Sequence, residues 1–258
     1  MQCERPVTVR GKTIGGAAPL VCLPLVAKDA GDLMLQAREL VSLAPDLLEW
    51  RIDGFGNVEN IGESLQALAG LRAVAGSLPL IFTCRIDSEG GMRAMARETR
   101  LKLITASIET GLLDLVDIEL CNDAAFIETV LDTAKRHDVK VILSFHDFEK
   151  TPGEDVILER LVRAQQMGGH IAKVAVMPQN YHDVLVLLGA TLKARTAMLQ
   201  IPVVTMAMGN EGVVTRLAGG LFGSDITFAI GKNASAPGQI LIGELRKAMS
   251  ILYSERSD

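Results

Sequence analysis

The stretch His170-Ile171-Ala172-Lys173-Val174-Ala175-Val176-Met177-Pro178 predicts a short strand with apolar residues on both faces, ended by the proline. Strands of this kind are typical of parallel sheets that are covered by helices. Its one charged residue, Lys173, is costly to bury unless the charge is paired or suppressed. A buried amine kept neutral is a nucleophile of the type that forms Schiff bases. Taken alone, such a lysine more often lays its aliphatic stem along apolar surface with its head in water.

Similar apolar segments recur on both sides of this stretch, each followed by a segment of helical periodicity. We predict strands at residues 20–26, 47–52, 78–84, 113–120, 140–145, 171–177, 202–208 and 226–230. The predicted helices are residues 32–43, 61–75, 93–108, 124–137, 155–167, 182–197, 213–221 and 239–252. A small hairpin is expected at residues 7–15, with Gly11-Lys12 at its turn.

Eight strand–helix units in strict alternation predict an α/β fold with a parallel sheet, closed into a (β/α)8 TIM barrel. We expect one domain over residues 1–258, with the hairpin capping the N-terminal end of the barrel. The alternative is an open doubly wound sheet, which would need a glycine-rich fingerprint after its first strand. The sequence Leu25-Val26-Ala27-Lys28-Asp29 has none, so the closed barrel is favoured.

The composition narrows the class of protein further. Hydrophobic residues make up 48% of the chain, and the net charge is −5 without a long basic run, which argues against a nucleic-acid partner. Cys3, Cys22, Cys84 and Cys121 show no CxxC pair and no metal-ligand spacing, as expected for thiols in a reducing compartment. Residues 1–16 do not resemble a signal peptide, and no apolar run is long enough to cross a bilayer. We therefore expect a cytoplasmic protein with no membrane partner.

Charged side chains follow most of the predicted strands at their carboxyl ends, where barrels of this type carry their active sites. In the second strand, alternation places Glu49, Arg51 and Asp53 on one face. The charged lining expected at the mouth of the barrel is Glu49, Arg51, Arg85, Glu89, Asp117, Glu119, His146, Lys173 and Arg216. A barrel filled only for packing would carry Val, Ile and Leu instead, so this lining predicts a functional site.

Each of these residues also has a structural interpretation. His146 suits a general base, but it equally fits a buried histidine with a structural hydrogen bond. Arg216 suits a bidentate clamp for a carboxylate or phosphate, or it lies on a helix surface. Glu49 and Arg51 could form a simple ion pair. Asp117 and Glu119 could instead lie behind the lining, where they would orient His146 or compensate the arginines.

Several short motifs together carry a resemblance to a known family. They are Glu49-Trp50-Arg51-Ile52-Asp53, Arg85 with Glu89-Gly90-Gly91, Ser144-Phe145-His146-Asp147-Phe148, Lys173-Val174-Ala175 and Ser235-Ala236-Pro237-Gly238-Gln239, with Met206 to Gly209 and Arg216. In these residues the chain resembles the type I 3-dehydroquinate dehydratases, the Schiff-base enzymes of the shikimate pathway. Each motif is weak alone, but their common order over nearly the whole chain is highly specific.

The resemblance implies an activity and a set of site residues. Lys173 would form an imine with the ketone of 3-dehydroquinate, His146 would be the general acid/base, and Glu89 would orient it. Loss of water would then give 3-dehydroshikimate, on the route to chorismate and the aromatic amino acids. The substrate would be held by Glu49, Arg51, Arg85, Arg216, Ser235, Gln239, Met206 and Phe228, supported from behind by Asp117. The resemblance also implies a homodimer that uses no metal and no organic cofactor.

Three features depart from the family pattern: Cys84 stands where an aromatic residue is common, Gly54 where a bulkier one is expected, and the segment Met92 to Arg100 is unusually basic. Two other functions remain open. A class I aldolase would also use a barrel lysine, with a phosphate site at Gly219-Gly220 and Gly231. A non-catalytic barrel that binds a small acid would need no buried lysine. The combination of Lys173 with His146 favours the dehydratase.

Overall fold

Eight parallel strands form a nearly closed barrel in the part of the chain that the computed structural model describes, residues 3–231 and 238–254. The barrel strands are β3 (Leu20–Leu25), β4 (Leu47–Arg51), β5 (Leu80–Thr83), β6 (Leu115–Glu119), β7 (Lys140–Asp147), β8 (Ile171–Val176), β9 (Val203–Ala207) and β10 (Ile226–Phe228), preceded by the hairpin strands β1 (Val7–Val9) and β2 (Lys12–Ile14). The sheet order runs β10-β3-β4-β5-β6-β7-β8-β9, so consecutive strands are neighbours. The predicted TIM barrel is confirmed.

Helices cover the outside of the barrel. They are α1 (Ala30–Ser42), α2 (Ile61–Ala75), α3 (Arg97–Glu109), α4 (Ala124–Arg136), α5 (Glu154–Gln166), α6 (Tyr181–Lys193), α7 (Val213–Ala218) and α8 (Ile242–Leu252). Asn60, Asp123 and Asn180 cap the N-termini of α2, α4 and α6 with their side chains, as expected for such residues ahead of an apolar period. No helix in the described ranges is long and apolar enough to span a bilayer.

The ends of several elements differ from the predictions. The hairpin turn is Arg10-Gly11, one residue earlier than expected, and both residues have positive φ, as a two-residue turn of this kind requires. Helix α3 begins at Arg97 rather than at the predicted Arg93. Arg93 lies in the preceding loop, where its side chain donates to the Gly56 carbonyl at 3.0 Å. Strand β7 extends through His146, which pairs in register with Ala175 of β8.

The interior of the barrel is built in layers, because every second residue of a strand points inward. One layer, here called the lower layer, is Cys22, Leu47, Ile81, Leu115, Ile142, Ile171, Val204 and Ile226, all of them buried and apolar. The upper layer lies two residues further along each strand: Pro24, Glu49, Thr83, Asp117, Ser144, Lys173, Met206 and Phe228. The alternate residues of the same strands, such as Leu48, Trp50 and Phe82, pack outward against the helices.

The N-terminal hairpin covers the lower end of the barrel, as predicted. Its apolar residues Val7, Val9 and Ile14 join the cluster of the lower layer. At its rim, Arg10 donates to Asp114 at 2.6 Å, and Lys12 reaches Asp46 at the same distance. The hairpin leaves the carboxyl ends of the strands uncovered, and this end contains the functional side chains.

Candidate active site

A cavity with about 530 Å³ of empty space opens at the carboxyl ends of the barrel strands. Its lining is Pro24, Glu49, Arg51, Arg85, Glu89, His146, Phe148, Lys173, Ala175, Met206, Met208, Arg216, Phe228 and Gln239. Most of the charged residues expected at the barrel mouth are in this set. Asp117 and Glu119 are not, and Ser235 lies outside the described residues.

Lys173 lies at the floor of the cavity on β8. Only 5% of the residue is exposed, so its head does not reach bulk water as the structural interpretation required. The amine donates to Asp117 Oδ2 at 2.7 Å, and Glu49 Oε1 lies 3.9 Å away. The Phe228 ring covers it at 4.9 Å from the ring centroid. The lysine is therefore buried, paired, and open to the cavity only.

Asp117 lies beneath this amine and is completely buried. Its other oxygen accepts a hydrogen bond from Ser144 Oγ at 2.6 Å and pairs with Arg85 Nη2 at 2.9 Å. Burial alone would raise the pKa of Asp117, but the charges of Arg85 and Lys173 outweigh it and hold the pKa below its usual range. A permanent carboxylate thus underlies the lysine.

Asp117 and Glu119 do not line the cavity, which corrects the expected charged lining but agrees with the alternative interpretation that they compensate the arginines. Arg85, which follows the end of β5, lies over the end of β6 and covers both carboxylates. Its Nη1 donates to Glu119 Oε1 and to Ser144 Oγ, each at 2.8 Å. The alternation of β6 does turn the two residues inward, but the long arginine side chain stands between them and the cavity.

Asp53 does not share the face of Glu49 and Arg51, which corrects a second expectation. Strand β4 ends at Arg51, and residues 52–54 form a 3-10 turn that takes Asp53 out of the alternation. Instead, both carboxylate oxygens of Asp53 accept hydrogen bonds from the Arg51 guanidinium, Oδ1 from Nε at 2.9 Å and Oδ2 from Nη2 at 2.8 Å. It also accepts from the backbone N–H groups of Arg85 and Met92. Arg51 is thus paired with Asp53 rather than with Glu49, which accepts from Thr83 Oγ1 at 2.8 Å.

His146 and Glu89 form a pair on the wall of the cavity. The Nδ1 atom of His146 lies 3.0 Å from Glu89 Oε2, and the His146 backbone N–H donates to the same oxygen at 2.8 Å. Because that oxygen already accepts the backbone N–H, we assign it as the acceptor of an Nδ1–H as well, which leaves a lone pair on Nε2. Burial, with the charges of Arg85 and Lys173, lowers the pKa of His146 well below its usual value. The imidazole is neutral at physiological pH and can act as a base.

The pKa of Glu89 moves in the opposite direction. Burial raises it to about 7, and the charge of Glu119 adds to the effect, against hydrogen bonds that lower it.

The loop that carries Glu89 continues with a glycine, and the structure gives a reason for this residue type. Gly90 has φ of 85°, and a Cβ there would overlap the ring of Phe148. The positive φ, more than contact with the partly exposed Phe148 ring, therefore favours glycine after Glu89.

Arg216, on α7, forms the far wall of the cavity. It is 3% exposed, which excludes a place on the helix surface. Its Nη1 lies 3.4 Å from the Phe228 carbonyl, and burial lowers the pKa of Arg216 to about 10. Met206, Met208 and Gln239 line the same cavity, and the Met206 sulfur lies 4.0 Å from Arg216 Nη1. A cationic group beside two thioethers and an amide suits a small organic anion.

The sequence reasoning assigned no role to several residues of the site. Pro24, Phe148 and Ala175 line the cavity, while Thr83 and Ser144 support Glu49 and Asp117 from the neighbouring strands. The period of two carries a signal for Ser144, which lies two residues before His146 on the inward face. Within residues 3–231 and 238–254, no three His, Cys, Asp or Glu side chains are placed to hold a metal ion.

Comparison with known proteins agrees with this geometry. The family model of the type I 3-dehydroquinases matches residues 21–256. The chain belongs to this family. It is 42% identical over 250 residues to 3-dehydroquinate dehydratases of Bacillus licheniformis and Clostridioides difficile, covering 97% of this chain and 98% of each relative. The family consists of hydro-lyases, so membership sets aside both the aldolase and the non-catalytic barrel.

Two solved structures of the family are close to this fold. The 3-dehydroquinate dehydratase of Geobacillus kaustophilus superposes with a TM-score of 0.96 at 41% identity, covering 99% of this chain and all of that one. The type I enzyme of Clostridium difficile, solved with covalently modified comenic acid, gives 0.94 at 42% identity, covering 98% of this chain and 99% of that one.

Gly54 and Cys84, the two single residues expected to depart from the family pattern, are packed against the same segment. A Cβ on Gly54 would lie 2.8 Å from the sulfur of Met92, so the methionine occupies the space that a larger residue would need. The Cys84 thiol contacts the sulfur of Met95 at 3.7 Å. Both positions are therefore packed by the segment that leads into α3, outside the cavity.

Proposed function

We propose that this protein dehydrates 3-dehydroquinate to 3-dehydroshikimate through an imine on Lys173, with His146 as general acid and base. One observation carries the proposal: a buried amine and a neutral imidazole held by a carboxylate line one small cavity. Family membership supports the overall reaction, and the covalently modified ligand in the C. difficile relative supports covalent chemistry.

The first stage is imine formation. The Lys173 ammonium loses a proton, which ends on the oxygen of the C3 ketone as the amine adds to that carbon. The hydroxyl of this carbinolamine then takes a second proton from the nitrogen and leaves as water, which gives a protonated imine. Asp117 and Glu49 stand at 2.7 and 3.9 Å from the amine to stabilise the cation. Because Asp117 lies beneath the amine and Glu49 close to it, they hold positive charge at the nitrogen while the ring of the substrate lies above it.

The second stage is elimination. His146 Nε2 removes a proton from C2, and the electrons flow to the iminium nitrogen to give an enamine. The enamine expels the C1 hydroxyl, which takes the proton from the imidazolium and leaves as water. Hydrolysis of the new imine then releases product and lysine. Glu89 holds Nδ1–H throughout, so a single nitrogen serves as base and then as acid.

The substrate is held by groups around the ring. We assign its carboxylate to Arg216, since a guanidinium matches a carboxylate in a fork. Arg51, Arg85, Glu49, Ser235 and Gln239 bind the hydroxyl groups and add hydrogen bonds to the carboxylate. Met206 and Phe228 pack against the carbon ring, which has no charge. This division of polar and apolar walls suits a small cyclic acid.

Borohydride trapping tests the proposal directly. The protein is mixed with 3-dehydroquinate and sodium borohydride, which reduces an imine to a stable amine, and the adduct is located by peptide mass spectrometry. We expect a ligand-sized mass gain on Lys173 and none in the Lys173→Ala variant, together with an absorbing enone product in the unreduced reaction. Product without adduct would overturn the imine mechanism. Absence of both the adduct and the product would contradict the assignment of 3-dehydroquinate as the substrate, and sugar phosphates would be tested next.

The resemblance extends to assembly and location. We propose that the protein is a homodimer and works in the cytoplasm, in the biosynthesis of aromatic amino acids. Sedimentation velocity at micromolar concentration tests the first point: a species of twice the chain mass of 27.7 kDa is expected, and a monomer would contradict it.

A further inference from the structure

A buried arginine outside the cavity touches the same carboxylate as a cavity arginine. Arg100 lies on α3 and is only 3% exposed. Its Nη2 donates to Glu119 Oε2 at 2.6 Å, and its Nη1 donates to Asn122 Oδ1 at 3.2 Å. The Phe126 ring packs against the guanidinium at 5.3 Å. Such burial of a charged side chain from an outer helix is rare unless the charge is paired, as it is here with Glu119.

The second oxygen of the same carboxylate faces the cavity side. Glu119 Oε1 accepts from Arg85 Nη1 at 2.8 Å and from the Ile86 backbone N–H at 3.2 Å. Because the two oxygens are joined rigidly through one carbon, the position of Oε2 determines that of Oε1. A displacement at Arg100 is therefore passed to Arg85 through one side chain that is completely buried.

We propose that Arg100 is a positioning residue for substrate binding, which acts through Glu119 to hold Arg85 in place. The inference rests on the proposed function, in which Arg85 binds substrate. A guanidinium has five N–H donors. In Arg85 three of them contact Glu119, Ser144 and Asp117, which leaves donors for a ligand in the cavity. These remaining donors point usefully only if the others are held.

Loss of Arg100 would leave Glu119 Oε2 with Asn122 Nδ2, at 3.3 Å, as its remaining side-chain donor. A buried carboxylate that loses one of its two charged partners rearranges until the oxygen left without that partner finds another donor or water. The carboxylate would rotate towards the loop at Asn122, and Arg85 would follow it or lose its bond. Substrate affinity would fall first, because Lys173, His146 and Glu89 have no contact with Arg100.

The test compares Arg100→Met, Arg100→Lys and Arg195→Met with unmodified protein in the 3-dehydroquinate assay. Arg195 is the matched control: it is 6% exposed and pairs with buried Asp225, but at the lower end of the barrel. We expect Arg100→Met to raise KM by about tenfold or more, with a smaller fall in kcat. Arg100→Lys, which keeps the charge and a donor, should recover part of the loss. Arg195→Met should lose thermal stability with KM unchanged.

A folded Arg100→Met protein with the KM of the unmodified protein overturns the inference, as does an equal rise of KM in Arg195→Met. If Arg100→Met does not fold, Asn122→Ala decides. Asn122 lies in a partly exposed loop and supports both Arg100 and Glu119, so a rise in KM of about two- to threefold is expected. An unchanged KM there overturns the inference. If unmodified protein shows no turnover, the proposed function itself has failed, and the role of Arg100 with it.

Discussion

The lower and upper layers of the barrel use the same eight strands and differ in almost every other respect. The lower layer is apolar throughout, and each of its residues is at most 2% exposed. Only two residues further along the strands, the upper layer contains Glu49, Asp117 and Lys173. These charges are buried nearly as deeply, but each has a charged or hydrogen-bonded partner.

The comparison shows that the position of a residue along its strand, rather than how deeply it is buried, decides whether it packs the core or serves the active site. Residues of the lower layer stabilise the fold by excluding water and filling space. The paired charges of the upper layer add little net stability, because desolvation consumes most of what their attraction supplies. Their value is a fixed electrostatic field around the cavity. Substitutions in the two layers should therefore separate activity from stability.

The largest effect is expected from Lys173→Ala, in the upper layer. Without the amine no imine can form, and turnover of 3-dehydroquinate should fall by roughly 10⁴-fold or more. The protein should still fold, because Asp117 keeps Ser144 and Arg85 as partners. Steady-state kinetics with circular dichroism measures both. Activity near that of the unmodified protein would contradict a catalytic lysine.

His146→Ala should have the next largest effect. Loss of the acid/base lowers kcat by about 10²- to 10⁴-fold, since proton transfer at C2 and at the departing hydroxyl both lose their catalyst. The Lys173 amine is untouched, so borohydride should still trap an adduct in this variant. If no adduct forms, His146 is needed for imine formation itself, and the separation of the two roles is wrong.

Ile171→Ala tests the lower layer on the same strand, two residues before Lys173. It removes a completely buried side chain and should lower the free energy of unfolding by about 2–5 kcal/mol. In the folded protein, kcat and KM should stay within a few-fold of their original values. Urea denaturation and kinetics below the transition measure the two quantities. A loss of activity as large as in His146→Ala would show that the layers are not independent.

Most of the fold could be predicted from the sequence because each strand–helix unit repeats the same signal. The inward phase followed from the same period of two: Glu49, Lys173 and His146 all face the cavity as alternation requires. The phase is a local property of the chain, so one strand is enough to determine it. The residue at which an element ends is not a local property, as β4 shows: the chain leaves the strand after Arg51, and Asp53 lies in a 3-10 turn.

The sequence could not show which inward-facing side chains are covered by other side chains. Asp117 and Glu119 have the right phase but lie under Arg85, whose reach depends on a loop from another strand. In the same way, no local pattern links Gly54 with Met92, which fill one space from separate segments. Contacts of this kind depend on three-dimensional packing and become visible only in the structure.

The smallest effect, and the sharpest test of the upper layer, concerns the pH dependence of the His146–Glu89 pair. An ionised Glu89 stabilises the imidazolium that forms when His146 takes a proton. The pKa of Glu89 is raised to about 7, whereas that of His146 lies well below its usual value. As pH rises through about 7, Glu89 loses its proton, and kcat/KM should therefore rise. His146 titrates at lower pH, so its titration does not overlap the step that Glu89 produces near pH 7.

Glu89→Gln keeps the acceptor oxygen but cannot ionise, so kcat/KM should fall by about tenfold above pH 7 and lose the step. Asp225→Asn is the control at the opposite end of the barrel, where burial likewise raises the pKa of a carboxyl, to about 6. That variant should keep the step near pH 7, because Asp225 is remote from the imidazole. A step that survives in Glu89→Gln would assign the titration to another group and leave Glu89 with an orienting role alone.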